Sequence, residues 1–242
     1  MSSNQGIRIN SYLAKSGYGS RRSVELLIEQ RRVKINKETV INYSTSVFDG
    51  DDVFVDDVLV KPLNKMLYYA LNKPSGYVCS NYDPNETLFA RDLLNVEEAK
   101  YLFHVGRLDR ESTGLIIYTN DGDFANLVMH PSNNIEKEYL VETKEYIDIN
   151  NLKEAIKGLK ISKKESLYKI KRFSLITKQR VFITLTEGKN REIRKIFSHF
   201  GYNIVSLKRL RIGPILLGDL KEGRYKGITK NQIDALLRGK NK

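Results

Sequence analysis

The sequence predicts an α+β protein of two unequal domains, a small α/β domain followed by a larger one with a mixed, mainly antiparallel β-sheet and flanking helices. Three observations carry that expectation. At 242 residues the chain exceeds one average domain but is short for two large ones. Its residues are 40% hydrophobic and 29% charged, an ordinary globular balance that can close a sizeable core. Apolar runs of strand length alternate with helical patterns, and Gly, Pro and Asn stand between them at turn positions.

Ile9, Tyr12 and Leu13 recur at helical spacing until Gly17 and Gly19 break the pattern. Ser20 is a good N-cap for a second helix through about Gln30, with Val24, Leu27 and Ile28 on one face. Short β-like runs follow at Val33–Ile35, Val40–Ile41 and Val53–Val55, the last after an Asp49-Gly50 turn. Lys61-Pro62-Leu63-Asn64-Lys65 is polar and carries a proline, so residues 1–60 are expected to form the first domain, 61–66 a linker and 67–242 the second domain.

In the second domain, Leu67–Leu71, Leu115–Tyr118 and Tyr139–Glu142 read as strands. Asp123–Met129 and Asn151–Ile156 read as helices, the latter ended by Gly158. Tyr168–Ile176 and Arg180–Thr186 flank the polar turn Thr177-Lys178-Gln179 as a hairpin. Asn190 is placed to cap a helix through Phe200, with Gly201 at the left-handed position beyond its end. Thr229 and Gln232 have capping-box spacing for a last helix, followed by a basic tail at Arg238–Lys242.

Lys and Arg number 41 against 29 acids, a net charge of +12 that calls for a polyanionic partner. Residues 1–62 hold nine basic and eight acidic side chains, so nearly all the excess lies beyond them; residues 189–211 hold seven and one. In the first domain the acids gather at Asp49, Asp51, Asp52, Asp56 and Asp57, which suggests one acidic face and one basic face. No apolar run approaches the ~18–20 residues that span a bilayer, and MSSNQGIRIN lacks the apolar segment of a secretory signal. Nucleic acid is therefore the expected partner, the cytoplasm the expected location and a monomer the expected state.

Cys79 is the only cysteine, which rules out an intramolecular disulfide and suits a reducing compartment. With no histidine near it in sequence it reads as a packed thiol. His104, His130 and His199 are scattered, so no metal site is expected. Neither a P-loop nor GxGxxG follows a predicted strand, and no cofactor is expected.

The most informative segment is Val105-Gly106-Arg107-Leu108-Asp109-Arg110-Glu111-Ser112-Thr113-Gly114-Leu115, which sets one carboxylate among turn formers directly after an arginine. An aspartate before Ser-Thr-Gly also serves as an ordinary turn residue. Three other segments keep it company: Asn72-Lys73-Pro74-Ser75-Gly76-Tyr77-Val78, Glu136-Lys137-Glu138-Tyr139-Leu140-Val141, and the basic run Glu187-Gly188-Lys189-Asn190-Arg191-Glu192-Ile193-Arg194-Lys195. Together these resemble the motifs of the RsuA/RluB family of bacterial ribosomal RNA pseudouridine synthases, in the order that family uses. Residues 8–56 resemble its N-terminal RNA-binding module, first described in a small-subunit ribosomal protein.

The resemblance implies isomerisation of uridine to pseudouridine in ribosomal RNA with no cofactor. Asp109 would be the essential aspartate, Arg194 its charge partner and Tyr139 the ring that packs on the target base. Arg107 would fill the space left by the flipped uridine. Arg21, Arg22, Arg31 and Arg32, at the two ends of the second helix, would contact RNA phosphates. Arg191 and Lys195 share one helix surface with Arg194, at i, i+4 and i+3, and, with Lys189, would add further RNA contacts. Leu207 is either the apolar wall of the pocket or a plain core residue. The run Arg209-Leu210-Arg211-Ile212-Gly213-Pro214, with Gly218-Asp219-Leu220, looks closer to members acting on the large-subunit 23S RNA. Lys73–Ser80 also resembles the small-subunit 16S enzyme, which leaves that target open. Two other classes stand beside this reading. One is a noncatalytic ribosome-associated RNA-binding protein; the other is a metal-dependent nuclease using Asp121 and Asp123, although a compact carboxylate cluster is missing.

Overall fold

The computed structural model describes residues 6–80, 85–161 and 167–238, so residues 239–242 of the basic tail lie outside the described residues. The chain divides into two compact units. One runs up to Leu67 and takes in Asn95–Phe103, and the other holds Tyr68–Leu94 and the chain from His104 onward.

The small unit contains β1 (Ile7–Arg8), α1 (Ile9–Lys15), α2 (Glu25–Glu29), β2 (Val33–Ile35), β3 (Glu38–Thr39), β4 (Ser46–Val47), β5 (Val53–Val55) and β6 (Val58–Val60). An antiparallel sheet in the order β3-β2-β5-β6 packs its buried valines, Val33, Val53, Val55 and Val60, with Ile9, Leu13, Val24 and Ile28 of the helical segments. The expected face of Val24 and Ile28 is thus real, although the regular helix starts only at Glu25. Ser20 caps the turn ahead of it, accepting from the Ser23 amide at 3.1 Å.

Two expectations for this unit are corrected. The strand expected at Val40–Ile41 lies instead at Glu38–Thr39, because Asn36, at φ 57°, closes a turn that pairs Ile35 directly with Glu38. Acids and bases are also not segregated. Asp56 and Asp57, at φ 50° and 63°, form the two-residue turn between β5 and β6, and their carboxylates meet Arg32 at 2.5 Å and Lys34 at 2.7 Å. Positive φ at both positions is a demand usually met by Asn-Gly, so Asp-Asp hid this hairpin, and β6 with it, from a sequence reading.

The large unit is organised by one sheet. Its elements are β7 (Tyr68–Lys73), β8 (Phe103–Val105), β9 (Thr113–Thr119), α3 (Gly122–Met129), β10 (Lys137–Thr143), α4 (Ile149–Lys157), β11 (Arg172–Thr177), β12 (Arg180–Leu185), α5 (Glu192–His199), β13 (Ile204–Ile212), β14 (Ile215–Leu216), β15 (Tyr225–Gly227) and α6 (Lys230–Arg238). The strand order β11-β12-β10-β13-β9-β7-β15 is antiparallel except where β13 runs parallel to β9, so the sheet is mixed as expected. Apolar side chains fix its faces: Leu71, Leu115, Ile116, Ile117, Val141 and Ile183 are fully buried.

Helix ends follow local chemistry. Asp121 caps α3 by accepting from the amides of Asp123 and Phe124, both at 3.0 Å. Gly201, at φ 76°, ends α5 in a Schellman motif: its amide bonds Ser198 O at 3.0 Å and the Tyr202 amide bonds Phe197 O at 3.0 Å. Thr229 and Gln232 form the expected capping box before α6. Among the described residues no helix is long and apolar enough to cross a membrane.

Candidate active site

The Gly106–Ser112 loop enters β9 through Thr113 and Gly114, and the sheet dictates what can stand there. Gly114 is paired with Lys73 on one side and Arg209 on the other. It adopts φ 98°, and a Cβ there would overlap the Arg209 backbone. The loop itself is pinned by Lys73, which is fully buried and donates from Nζ to the carbonyls of Pro74 at 2.8 Å, Tyr77 at 2.7 Å and Arg110 at 3.1 Å. Burial pulls the Lys73 ammonium below the usual lysine range, against the pull of nearby acids. Lys73 thereby joins the Asn72–Val78 segment to the segment carrying Asp109.

Asp109 is about a quarter exposed and faces two guanidiniums, with Oδ2 lying 3.3 Å from Arg194 Nε and 3.3 Å from Arg191 Nη1. Arg194 is oriented further by the Ser112 hydroxyl, which accepts from Nη2 at 3.0 Å. The same cations also serve Glu111: Arg191 Nη1 lies 2.8 Å and Arg194 Nε 3.3 Å from Glu111 Oε1. Burial would raise the Glu111 carboxyl, but its own backbone amide and the Arg191 and Arg194 charges hold it below the usual range. Two acids and two bases thus form one network, and an ionised carboxylate at Asp109 is compensated rather than left as a bare charge.

The expectation that Asn190 caps α5 is corrected. Arg191 occupies the N-cap position in the left-handed conformation, φ 51°. Arg191 makes no side-chain cap hydrogen bond, and the Glu192 carboxylate instead accepts from the Lys189 amide at 3.0 Å, tying down the turn ahead of the helix. The turn directs Arg191 toward Asp109 and Glu111 alongside Arg194.

A cavity of about 670 Å³ opens beside Asp109, lined among others by Arg107, Tyr139, Lys189, Arg191, Arg194 and Leu207. Tyr139 and Leu207 are 8% and 7% exposed, so each combines a buried body with a surface on the cavity. Lys195 does not join this cavity; its Nζ lies 2.7 Å from the Tyr168 hydroxyl. Arg21, Arg22 and Arg31 are exposed in the small unit, whereas Arg32 is tied to Asp56 through both Nε and Nη2. Asp121 is consumed as a helix cap and accepts from Tyr68 OH at 2.6 Å. Among the described residues no group of three or more His, Cys, Asp or Glu could hold a metal ion.

Three side chains at the site escaped the sequence reading. Glu111 sits two residues after Asp109, at a position the motif leaves variable. Lys137 is 9% exposed and lines the cavity; the strand alternation that buries Tyr139 was the available signal, since residues two apart share a face. Arg209 is 4% exposed, opposite Tyr139 across the sheet, with its guanidinium 6.0 Å from the centre of the tyrosine ring. Cys79, also on the cavity, is a packed thiol whose Sγ lies 3.5 Å from the Leu108 amide, and burial raises its pKa.

Residues 67–199 match the model of the RNA pseudouridylate synthase family, and residues 7–53 match the S4 domain. A ribosomal small subunit pseudouridine synthase A of Yersinia pestis is 32% identical over 94% of this chain and 97% of its own. A ribosomal large subunit pseudouridine synthase B of Xylella fastidiosa is 32% identical over 95% of this chain and 50% of its own. A crystal structure of a pseudouridylate synthase superposes with a TM-score of 0.71 at 28% identity, covering 95% of this chain and 99% of that one. The chain belongs to the RNA pseudouridylate synthase family and carries an S4 domain ahead of the synthase domain.

Proposed function

We propose that this protein isomerises a uridine of ribosomal RNA in the cytoplasm, with Asp109 carrying the chemistry. The observation that carries the reading is the Asp109 carboxylate held at 3.3 Å by both Arg191 and Arg194 on the wall of a cavity that also bears Tyr139. That arrangement pairs a carboxylate with two guanidiniums and orients it where a base can enter, which a protein that only binds RNA does not require.

The target uridine must leave its stack, at a cost of a few kcal/mol. The Tyr139 ring offers a stacking surface worth about 1–3 kcal/mol, Leu207 an apolar wall, and Arg107 a side chain for the vacated space. Asp109 acts on the ribose or on the base while the C1′–N1 bond breaks; the ring turns and C1′ joins C5. C5 gives up its proton and N1 gains one, so the reaction is balanced without a cofactor. Residues 1–60 anchor the RNA through Arg21, Arg22 and Arg31, and Lys189 and Arg191 contact phosphates near the cavity.

The 209–214 run favours a 23S target, and the Lys73–Ser80 segment a 16S one. Mapping pseudouridines in both ribosomal RNAs from cells with and without the gene tests the reading. One site that disappears with the gene and returns with the wild-type copy is the expected result. Identical maps would overturn it.

A further inference from the structure

The side of the cavity behind Tyr139 carries two cations that the proposed chemistry leaves unused. Lys137 lies two residues before Tyr139 in β10, on the same face, and its Nζ makes one long hydrogen bond, 3.4 Å to Thr186 O. Arg209 is anchored by Nε to Leu115 O at 2.6 Å and by Nη1 to Arg107 O at 3.4 Å, while its buried Nη2 has no partner. The charged groups facing Lys137 are Arg209 from β13 and Glu192 from α5, and the latter carboxylate is already engaged by the Lys189 amide. One buried carboxylate therefore stands against two buried cations, and the pair leaves an uncompensated positive charge at the cavity. Such a charge is costly in a low-dielectric site unless something negative arrives there.

We propose that Lys137 and Arg209 form a cationic floor that stabilises the negative charge developing on the uracil ring during isomerisation. This rests on the uridine-isomerase reading above. When C1′–N1 breaks, its electron pair passes to N1 and spreads over O2 and O4; if Asp109 adds at C6 instead, the pair passes to C5 and O4. Either route makes the ring anionic, and both return it to neutrality when C5–C1′ forms, C5 loses its proton and N1 gains one; on the second route the C6–Oδ bond breaks as C5 loses its proton, which restores C5=C6 and frees the Asp109 carboxylate. Preorganised positive groups aimed at such charge act in the transition state rather than in binding. Lys137 needs to transfer no proton; it needs only to remain an ammonium. Burial, helped by Arg209 and opposed by Glu192, pulls its pKa down to about 8, so that condition fails as pH rises through that value.

The test is single-turnover pseudouridine formation on 16S and 23S rRNA transcripts, from about pH 6 to 10, with wild type, Lys137→Met and Lys137→Arg. RNA affinity and thermal melting are measured in parallel. The expected results are a wild-type rate that falls above about pH 8 and a Lys137→Met rate about 10²–10³-fold lower with RNA affinity nearly unchanged. Lys137→Arg should recover most of the rate and lose the alkaline fall, because a guanidinium stays charged. A folded Lys137→Met with the wild-type rate and pH profile overturns the inference and leaves the functional reading standing. An alkaline fall that persists in Lys137→Arg also overturns it. Wild-type protein that makes no pseudouridine in either RNA brings down the reading and this inference together.

Discussion

Gly114 is pressed against Arg209: a Cβ on the glycine would overlap the Arg209 carbonyl oxygen, and the glycine adopts φ 98°. This close approach sets the parallel pairing of β9 with β13 and so the distance between the Asp109 loop and the strand bearing Leu207 and Arg209. Gly114→Ala must either strain the backbone or push the strands apart. We expect a loss of about 2–4 kcal/mol, read by chemical denaturation, together with a fall in activity larger than that of a substitution at exposed Gly188.

Arg194 links Asp109 to Ser112, and Lys can replace its charge but not its fork. Arg194→Lys should reduce the rate of pseudouridine formation by at least about tenfold while leaving RNA affinity within about twofold. Glu111→Gln should be milder, since it frees Arg191 and Arg194 for Asp109. The outcome to look for is a near-normal rate, and a rate as low as that of Arg194→Lys would mean that Glu111 shares the chemistry.

A second carboxylate reports on stability rather than reaction. Glu136 is met by Lys171 at 3.0 Å, Arg172 at 2.7 Å and Arg211 at 2.9 Å. Burial works against these partners, yet they hold its pKa at about 2. A depressed carboxylate contributes stability that is present above its unfolded value near 4.3 and is lost as pH falls through the folded one. Because Lys171 and Arg172 are about half exposed, solvent screening limits the contribution to about 1–2 kcal/mol. Denaturation midpoints should therefore drop between about pH 4.3 and 2 in wild type, and this part of the slope should be missing in Glu136→Gln.

RNA binding should be steeply salt-dependent. If about six to ten phosphates are contacted, affinity falls about 10³–10⁵-fold between 50 and 200 mM salt. Within the small unit the arginines should separate. Arg21→Ala, Arg22→Ala and Arg31→Ala should each lower the salt slope by about one, while Arg32→Ala should lower it less because Asp56 already holds that guanidinium.

Much of this was legible in the sequence because local chemistry and the global fold agree. The capping box at Thr229, the glycine ending α5 and the strand alternation around Tyr139 each match what their residues prefer. The misses share a cause, since each depended on partners remote in sequence or on backbone conformations that side-chain identity does not advertise. Asp56-Asp57 forms a hairpin turn with two positive φ values, and Arg191 takes a left-handed cap position next to an asparagine that looked better suited to capping. Lys137 and Arg209 stand in the sequence only as members of the Glu136–Val141 segment and the 209–214 run, and the pairing of β10 with β13 is what brings them, buried, to the cavity. Lys73 was recognised as part of a segment, but its bond to the Arg110 carbonyl, 37 residues away, explains why that segment accompanies Asp109.

In the proposed reaction one carboxylate, at Asp109, performs the chemistry. Asp109→Asn keeps the size and hydrogen-bonding capacity of the side chain and removes its charge, so the protein should fold and bind rRNA with nearly wild-type affinity. The decisive measurement is pseudouridine formed in 16S and 23S rRNA transcripts by this variant and by wild type at equal, RNA-saturating enzyme. The expected result is product from wild type and none above background from Asp109→Asn, and an Asp109→Asn protein that still forms pseudouridine would contradict a chemical role for this carboxylate.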